Sequence, residues 1–203
     1  MTDVYERLAT HLDNLPAGFP RTDTGVEMRI LKRLFSPEEA DVATTLTMMP
    51  EPVAGIAARL DKDEAQLAVA LEAMAKKGLI FRISKKETVL YSAAQFIVGI
   101  WEYHVNSLDE DLIRDVNEYM PTLMKKSWLK TETKQLRVVP VAKSVTAEMG
   151  VMPFEAAEAI INKQSKIVVS DCICRKEQKM IGKGCDKPSE ACLIFGAGAY
   201  YYK

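Results

Sequence analysis

The chain has 203 residues, of which 48% are hydrophobic and 27% charged, with a formal net charge of −1; that balance excludes a disordered or collagen-like chain, and the length suits one large domain or two small ones. The near-neutral charge argues against broad electrostatic capture of nucleic acid, and no apolar run approaches the ~18–20 residues that cross a bilayer. The opening, Met1-Thr2-Asp3-Val4-Tyr5-Glu6, lacks the basic start and apolar run of a secretion signal, so the expectation is a cytoplasmic protein with no membrane contact.

In chain order, Val4, Leu8, His11, Leu12 and Leu15 predict a first helix that breaks at Pro16-Ala17-Gly18-Phe19-Pro20. A second helix is predicted from Val26 to Phe35, with Val26, Ile30, Leu31 and Leu34 on one face. Ser36-Pro37-Glu38-Glu39 restarts the chain: Ser36 caps, Pro37 suits the first turn, and Glu39 completes a capping box. Pro50 and Pro52 punctuate the next boundary, and Val53, Ile56, Ala57 and Leu60 recur at helical spacing. Asp61 and Glu64 read as a second capping box, followed by Leu67, Leu71 and Met74. Lys76-Lys77-Gly78 closes that helix, with lysines at the negative end of its dipole.

After Gly78 the period changes. Leu79–Ile83 and Val89–Tyr91 read as two strands around the polar turn Ser84–Thr88. Helices followed by a hairpin, with the phrase Lys77-Gly78-Leu79-Ile80, resemble a winged helix-turn-helix over Val53 to Tyr91. Such a fold reads DNA with the start of its second helix, and phosphate contact needs positive charge there. Here that helix opens with Asp61, Lys62, Asp63 and Glu64, three acids against one base. The turn is better supplied, with Arg82, Lys85 and Lys86 against Glu87. DNA is therefore the disfavoured partner, and a packing or protein-contact unit the favoured reading.

Helical periodicity resumes at Phe96, Ile97, Ile100 and Trp101 and again from Leu112 to Leu123, where Pro121 is expected to kink or interrupt the helix. Gln135–Val141 reads as a strand. Pro153–Lys163 reads as a helix with Ala157, Ile160 and Ile161 inward, and Lys166–Ser170 as a second β run leading into Cys172. His104, after Trp101 and Tyr103, reads as a packed residue rather than a ligand. No glycine-rich phosphate loop or His-Glu-x2-His motif occurs.

All four cysteines, Cys172, Cys174, Cys185 and Cys192, fall in the last stretch of chain, spaced Cys-x-Cys-x10-Cys-x6-Cys. Four thiolates make a complete set for zinc or for a [4Fe–4S] cluster, and soft sulfur donors exclude magnesium and calcium. Two disulfides are the lesser alternative in a reducing compartment. Cys172 and Cys174 flank one residue, so a bent backbone is needed for their sulfurs to converge, while Gly182 and Gly184 permit a return to Cys185. Cys192 is expected in a helix starting near Ser189, with Leu193–Tyr202 helical as well. Between Cys172 and Cys192 lie five bases (Arg175, Lys176, Lys179, Lys183, Lys187) against three acids (Glu177, Asp186, Glu190), an excess that offsets a four-thiolate site and predicts lowered thiol pKa values. Zinc knuckles use Cys-x2-Cys to Cys-x4-Cys pairs, and neither half has one.

The phrases Cys172-x-Cys174-Arg175, Gly184-Cys185-Asp186-x-Pro188 and Glu190-x-Cys192-Leu193-x-Phe195-Gly196 resemble a region of multidomain 4Fe–4S ferredoxin-type proteins of anaerobic bacteria. The resemblance covers about 25 residues and implies a 4Fe–4S cofactor, single-electron transfer and a redox partner protein. It implies Cys172, Cys174, Cys185 and Cys192 as ligands, with Arg175 and Lys183 as cofactor-binding residues. Such proteins often carry a conventional ferredoxin domain after this segment, so the expectation is a piece of a longer protein whose C-terminal ferredoxin domain is missing.

The expected fold is mainly α with small β elements (α+β): a winged-helix-like domain over 1–92, a helical linker over 93–134, and an α/β segment over 135–203 carrying the four-cysteine motif. An electron carrier or accessory redox subunit is expected rather than a catalyst, and a homodimer through the helical region is a further option. The alternatives are an iron–sulfur-sensing winged-helix transcription regulator and a zinc-stabilised protein-interaction module.

Overall fold

The computed structural model describes residues 3–85, 88–130 and 154–200. It is mixed α+β, with helices predominating and two small antiparallel sheets among the described residues. Among the same residues no helix is long and apolar enough to cross a membrane. The predicted strand Gln135–Val141 lies outside them.

Helix α1 (Val4–Asp13) is capped by Asp3, whose carboxylate accepts from Tyr5 N–H at 3.0 Å, and buries Leu8, Ala9 and Leu12. The Pro16–Pro20 break turns the chain inward, where Phe19 N–H donates to Asp13 Oδ1 at 2.7 Å. Helix α2 (Val26–Leu34) buries the apolar face expected of it. Helix α3 (Pro37–Ala43) has the expected capping box: Ser36 N–H donates to Glu39 Oε2 at 2.7 Å and Glu39 N–H to Ser36 Oγ at 3.2 Å.

A two-residue strand, β1 (Glu51–Pro52), precedes α4 (Val53–Leu60) and α5 (Glu64–Lys77). The cap of α5 differs from expectation. Asp63 is its N-cap, accepting from Gln66 N–H at 2.8 Å. Asp61 instead ends α4 in the left-handed region at φ 51°, a conformation that aspartate tolerates and that a sharp inter-helix turn requires. Strands β2 (Ile80–Lys85) and β3 (Thr88–Ala93) form the hairpin, and β1 adds beside β3, giving the order β1-β3-β2.

Beyond the hairpin the predicted helix at Phe96–Trp101 is mostly not one. Ile97 and Val98 are extended (φ/ψ −134°/129° and −79°/122°), and α helix returns only at α6 (Trp101–Tyr103). The spacing of Phe96, Ile97, Ile100 and Trp101 still reports burial, because the irregular segment threads the core. Helix α7 (Glu110–Leu123) runs through Pro121 without breaking and widens into a π turn at Met124–Trp128. The lost N–H is absorbed near the helix end rather than in a break. A cluster of Phe19, Phe96 and Tyr119, with ring centroids 4.9–5.7 Å apart, joins the first loop, this segment and α7. Across α2 and α7, Arg29 meets Asp115 at 3.3 Å and Glu118 at 2.7 Å.

The rest comprises α8 (Phe154–Asn162), β4 (Ile167–Asp171), α9 (Ile173–Met180), β5 (Glu190–Phe195) and a 3-10 turn at Gly196–Tyr200. Two expectations fail here. Ile160 on α8 is exposed rather than inward. Glu190–Phe195 is a strand rather than a helix, because Cys192–Phe195 pair antiparallel with Ile167–Ser170. No helix starts near Ser189, whose carbonyl accepts from Cys172 N–H at 2.7 Å, and of Leu193–Tyr202 only the 3-10 turn Gly196–Tyr200 is helical among the described residues.

Gly78 ends α5 at φ +85°, and a Cβ there would stand 2.8 Å from Tyr103 Cβ. Gly78→Ala is therefore expected to cost about 1–3 kcal/mol of folding stability, read as a lower urea midpoint at unchanged m-value.

Candidate metal centre

Strand β4 delivers the chain to Cys172, which is the N-cap of α9 with extended backbone (φ −78°, ψ 111°). Its carbonyl takes the first helical bond, from Lys176 N–H at 3.0 Å. The bend demanded by the Cys-x-Cys spacing is thus a strand-to-helix junction, with Cys174 in the opening turn of α9. Cys192 stands on β5 opposite Ser170, one residue before the strand irregularity at Ser170/Asp171. All four thiols are free, so no disulfide joins them.

Three of the four predicted ligands share one electrostatic neighbourhood. Burial raises the Cys174 thiol, and the neighbouring Cys172 thiol raises it further. Burial likewise pushes Cys192 up to about 11, again with Cys172 and then Cys174 as neighbours. Cys172 is the hub, interacting with both. Cys185 is exposed on the loop after α9 and is not among the groups acting on either thiol. Among the described residues no three His, Cys, Asp or Glu side chains stand at metal-holding spacing. Cys172, Cys174 and Cys192 are therefore near enough to act on one another without forming a metal-holding group. The expected lowering of thiol pKa is corrected for Cys174 and Cys192: partial desolvation and the proximity of other thiols and of Glu102 outweigh exposed lysines, whose charge water screens.

Helix α9 is fastened to the N-terminal helices. Ile173, between the two first cysteines, is 3% exposed and belongs to the main hydrophobic core. Glu177 is 8% exposed and accepts from Asn117 Nδ2 of α7 at 2.7 Å. Lys176 Nζ donates to Asn106 Oδ1 at 3.2 Å and stands 3.9 Å from Asp171. Asn117 and Glu177 were not foreseen; the spacing of Ile173 and Glu177, one helical turn apart, was the available signal.

The two predicted cofactor-binding bases have other contacts. Arg175 donates to the Pro188 carbonyl, tying α9 to the loop that carries Cys185. The side chain of Lys183 is exposed, and its backbone N–H closes the end of α9 on Gln178 O at 2.8 Å. Gly184 passes so close to α9 that a Cβ would meet Lys179 Cα at 2.7 Å. Gly184→Ala must move the loop, because the obstacle is backbone, and faster proteolysis between Gly182 and Ser189 is the expected readout.

Glu102 lies near both raised thiols. Burial pushes its carboxyl up to about 7, partly opposed by Gly99 N–H donating to Oε2 at 2.7 Å. A group whose folded pKa exceeds its unfolded value stabilises at low pH, and that contribution is lost as pH rises, here from about 4.5 towards 7. Glu102→Gln keeps an acceptor for Gly99 and removes the titration. Its urea midpoint is expected to fall less than wild type between pH 5 and 8.

The hairpin of the proposed winged module offers less charge than the sequence implied. Arg82 Nε pairs with Glu72 at 2.7 Å, and Tyr91 OH donates to the same carboxylate at 3.0 Å. The Lys85 side chain and Lys86 lie outside the described residues. His104 is buried, its Nδ1 2.7 Å from Ile100 O. No family profile matches the chain, and no curated protein matches it in sequence.

Proposed function

We propose that the chain binds a 4Fe–4S cluster through Cys172, Cys174, Cys185 and Cys192 and serves as a cytoplasmic ferredoxin-type electron carrier or redox subunit. The observation that supports this reading is the proximity of Cys172, Cys174 and Cys192, up to twenty residues apart in sequence, across the β4–β5 ladder and the start of α9. The chemistry of the donor set suits a soft centre, since it is all sulfur. Completing it requires Cys185 to swing inward, and the loop bearing Cys185 has glycines at Gly182 and Gly184 to turn on. When bound, such a cluster accepts and releases single electrons.

The chain's own residues would fix and tune the centre. Ile173 and the Asn117–Glu177 bond hold two ligands rigidly, and Arg175 limits the travel of the Cys185 loop. Lys179, Lys183 and Lys187 are exposed around it and would offset the charge of four thiolates and guide an acidic redox partner. The order α3-β1-α4-α5-β2-β3 with β1 beside β3 supports a winged-helix module. Acids at the start of α5 and the engagement of Arg82 by Glu72 favour protein contact over DNA for it.

Anaerobic reconstitution with iron and sulfide tests the proposal. Expected are about four irons and four acid-labile sulfides per chain and a broad absorption near about 400 nm. Single Cys→Ser changes at the four positions should each lower iron retention. Colourless protein holding one zinc would overturn the assignment, and full retention in any one variant would remove that residue from the ligand set.

A further inference from the structure

A cleft of about 530 Å³ separates β4 from the Glu102–Asn106 turn. Its lining includes Val168, Val169, Ser170 and Asp171 in unbroken succession, but of β5 only Glu190. Side chains alternate between the faces of a strand, so four residues in a row bring the backbone of β4, and not only one of its faces, to the cleft. Among the described residues that strand pairs only with β5, in a two-stranded sheet. Among the described residues no turn or loop backbone hydrogen-bonds to Ile167–Asp171. A row of N–H and C=O groups facing a preformed slot is a template for strand addition.

The surroundings specify the added strand. On one face of the hairpin, Ile167, Val169, Leu193 and Phe195 are 41%, 58%, 50% and 37% exposed and pair across the strands as Ile167–Phe195 and Val169–Leu193. On the other face stand Val168, Ser170 and Cys192, and Glu102 lies near enough to act on Cys192. Among the described residues neither Glu102 nor Glu190 forms an ion pair, although both line the cleft. Lys176 bridges Asn106 and Asp171 and closes one end.

We propose that this edge receives an extended peptide segment of a partner protein, about five residues long, that alternates apolar and basic side chains. Its apolar residues extend the face of Ile167 and Val169, and its basic residues answer Glu102 and Glu190. The length follows from the five residues of β4 at about 3.3 Å each. The proposal does not require that the thiols bind a cluster.

The probe is the acetylated, amidated peptide Lys-Val-Lys-Val-Lys, titrated into the full chain and followed by backbone amide NMR. Saturable shifts confined to Val168–Asp171 and Tyr103–Asn106 are expected. They should be lost with the backbone N-methylated peptide, and affinity should fall about tenfold in the Glu102→Gln/Glu190→Gln variant, which retains the local acceptors. The peptide Glu-Val-Glu-Val-Glu should bind weakly or not at all. No shifts up to about 1 mM peptide, shifts indifferent to N-methylation, or equal binding of the acidic peptide would each overturn the proposal. The same amides shifting with protein concentration alone would also overturn it, because a second copy would then hold the edge.

Discussion

One short docking contact positions the chemistry of this chain. Ile173 sits between Cys172 and Cys174 and is buried in the core built by the N-terminal helices. One turn later Glu177 meets Asn117 inside the same contact. A buried isoleucine contributes roughly 1.5–3 kcal/mol through the hydrophobic effect. A buried carboxylate would lose that much again without its donor, which Asn117 supplies. Cys172 and Cys174 therefore occupy the edge of a packed core, whereas Cys185 lies on an exposed loop.

The electrostatics of that edge pull two ways. Partial burial and the company of other thiols hold Cys174 and Cys192 protonated at neutral pH, Cys192 most strongly. Removing those protons costs free energy that only a strong sulfur-binding ligand can offset. Simple thiolate reactivity at these two thiols is thus suppressed. The exposed lysines of the following loop act at longer range, where solvent weakens them.

Much of the helical architecture was legible in residue order. Ser36 and Glu39, Gly78, and the apolar faces of α1, α2 and α7 read directly, because caps and periodicity are local. Misreadings cluster where tertiary pairing overrides local preference. Ser189 followed by Glu190 and apolar residues looks like a helix start, yet the partner strand β4 captures Cys192–Phe195. Phe96–Trp101 has helical spacing because its apolar residues are buried, not because its backbone is helical. The clustering of the cysteines along the chain was visible; the separate placement of Cys185, the pairing of Arg82 and the role of Asn117 were not, since each depends on contacts between distant residues.

The β4–β5 ladder closes a chain loop that contains α9 and the Cys185 turn. Cys192 is tied to Cys172 through that ladder and through the bond from Cys172 N–H to Ser189 O at 2.7 Å. Unzipping a few rungs at the Ser170–Cys192 end would draw Cys192 away from Cys172 and Cys174, which stay docked through Ile173. Loss of whatever they hold and fraying of this hairpin would then be one event, and bound cargo would act as the clasp that keeps the hairpin shut.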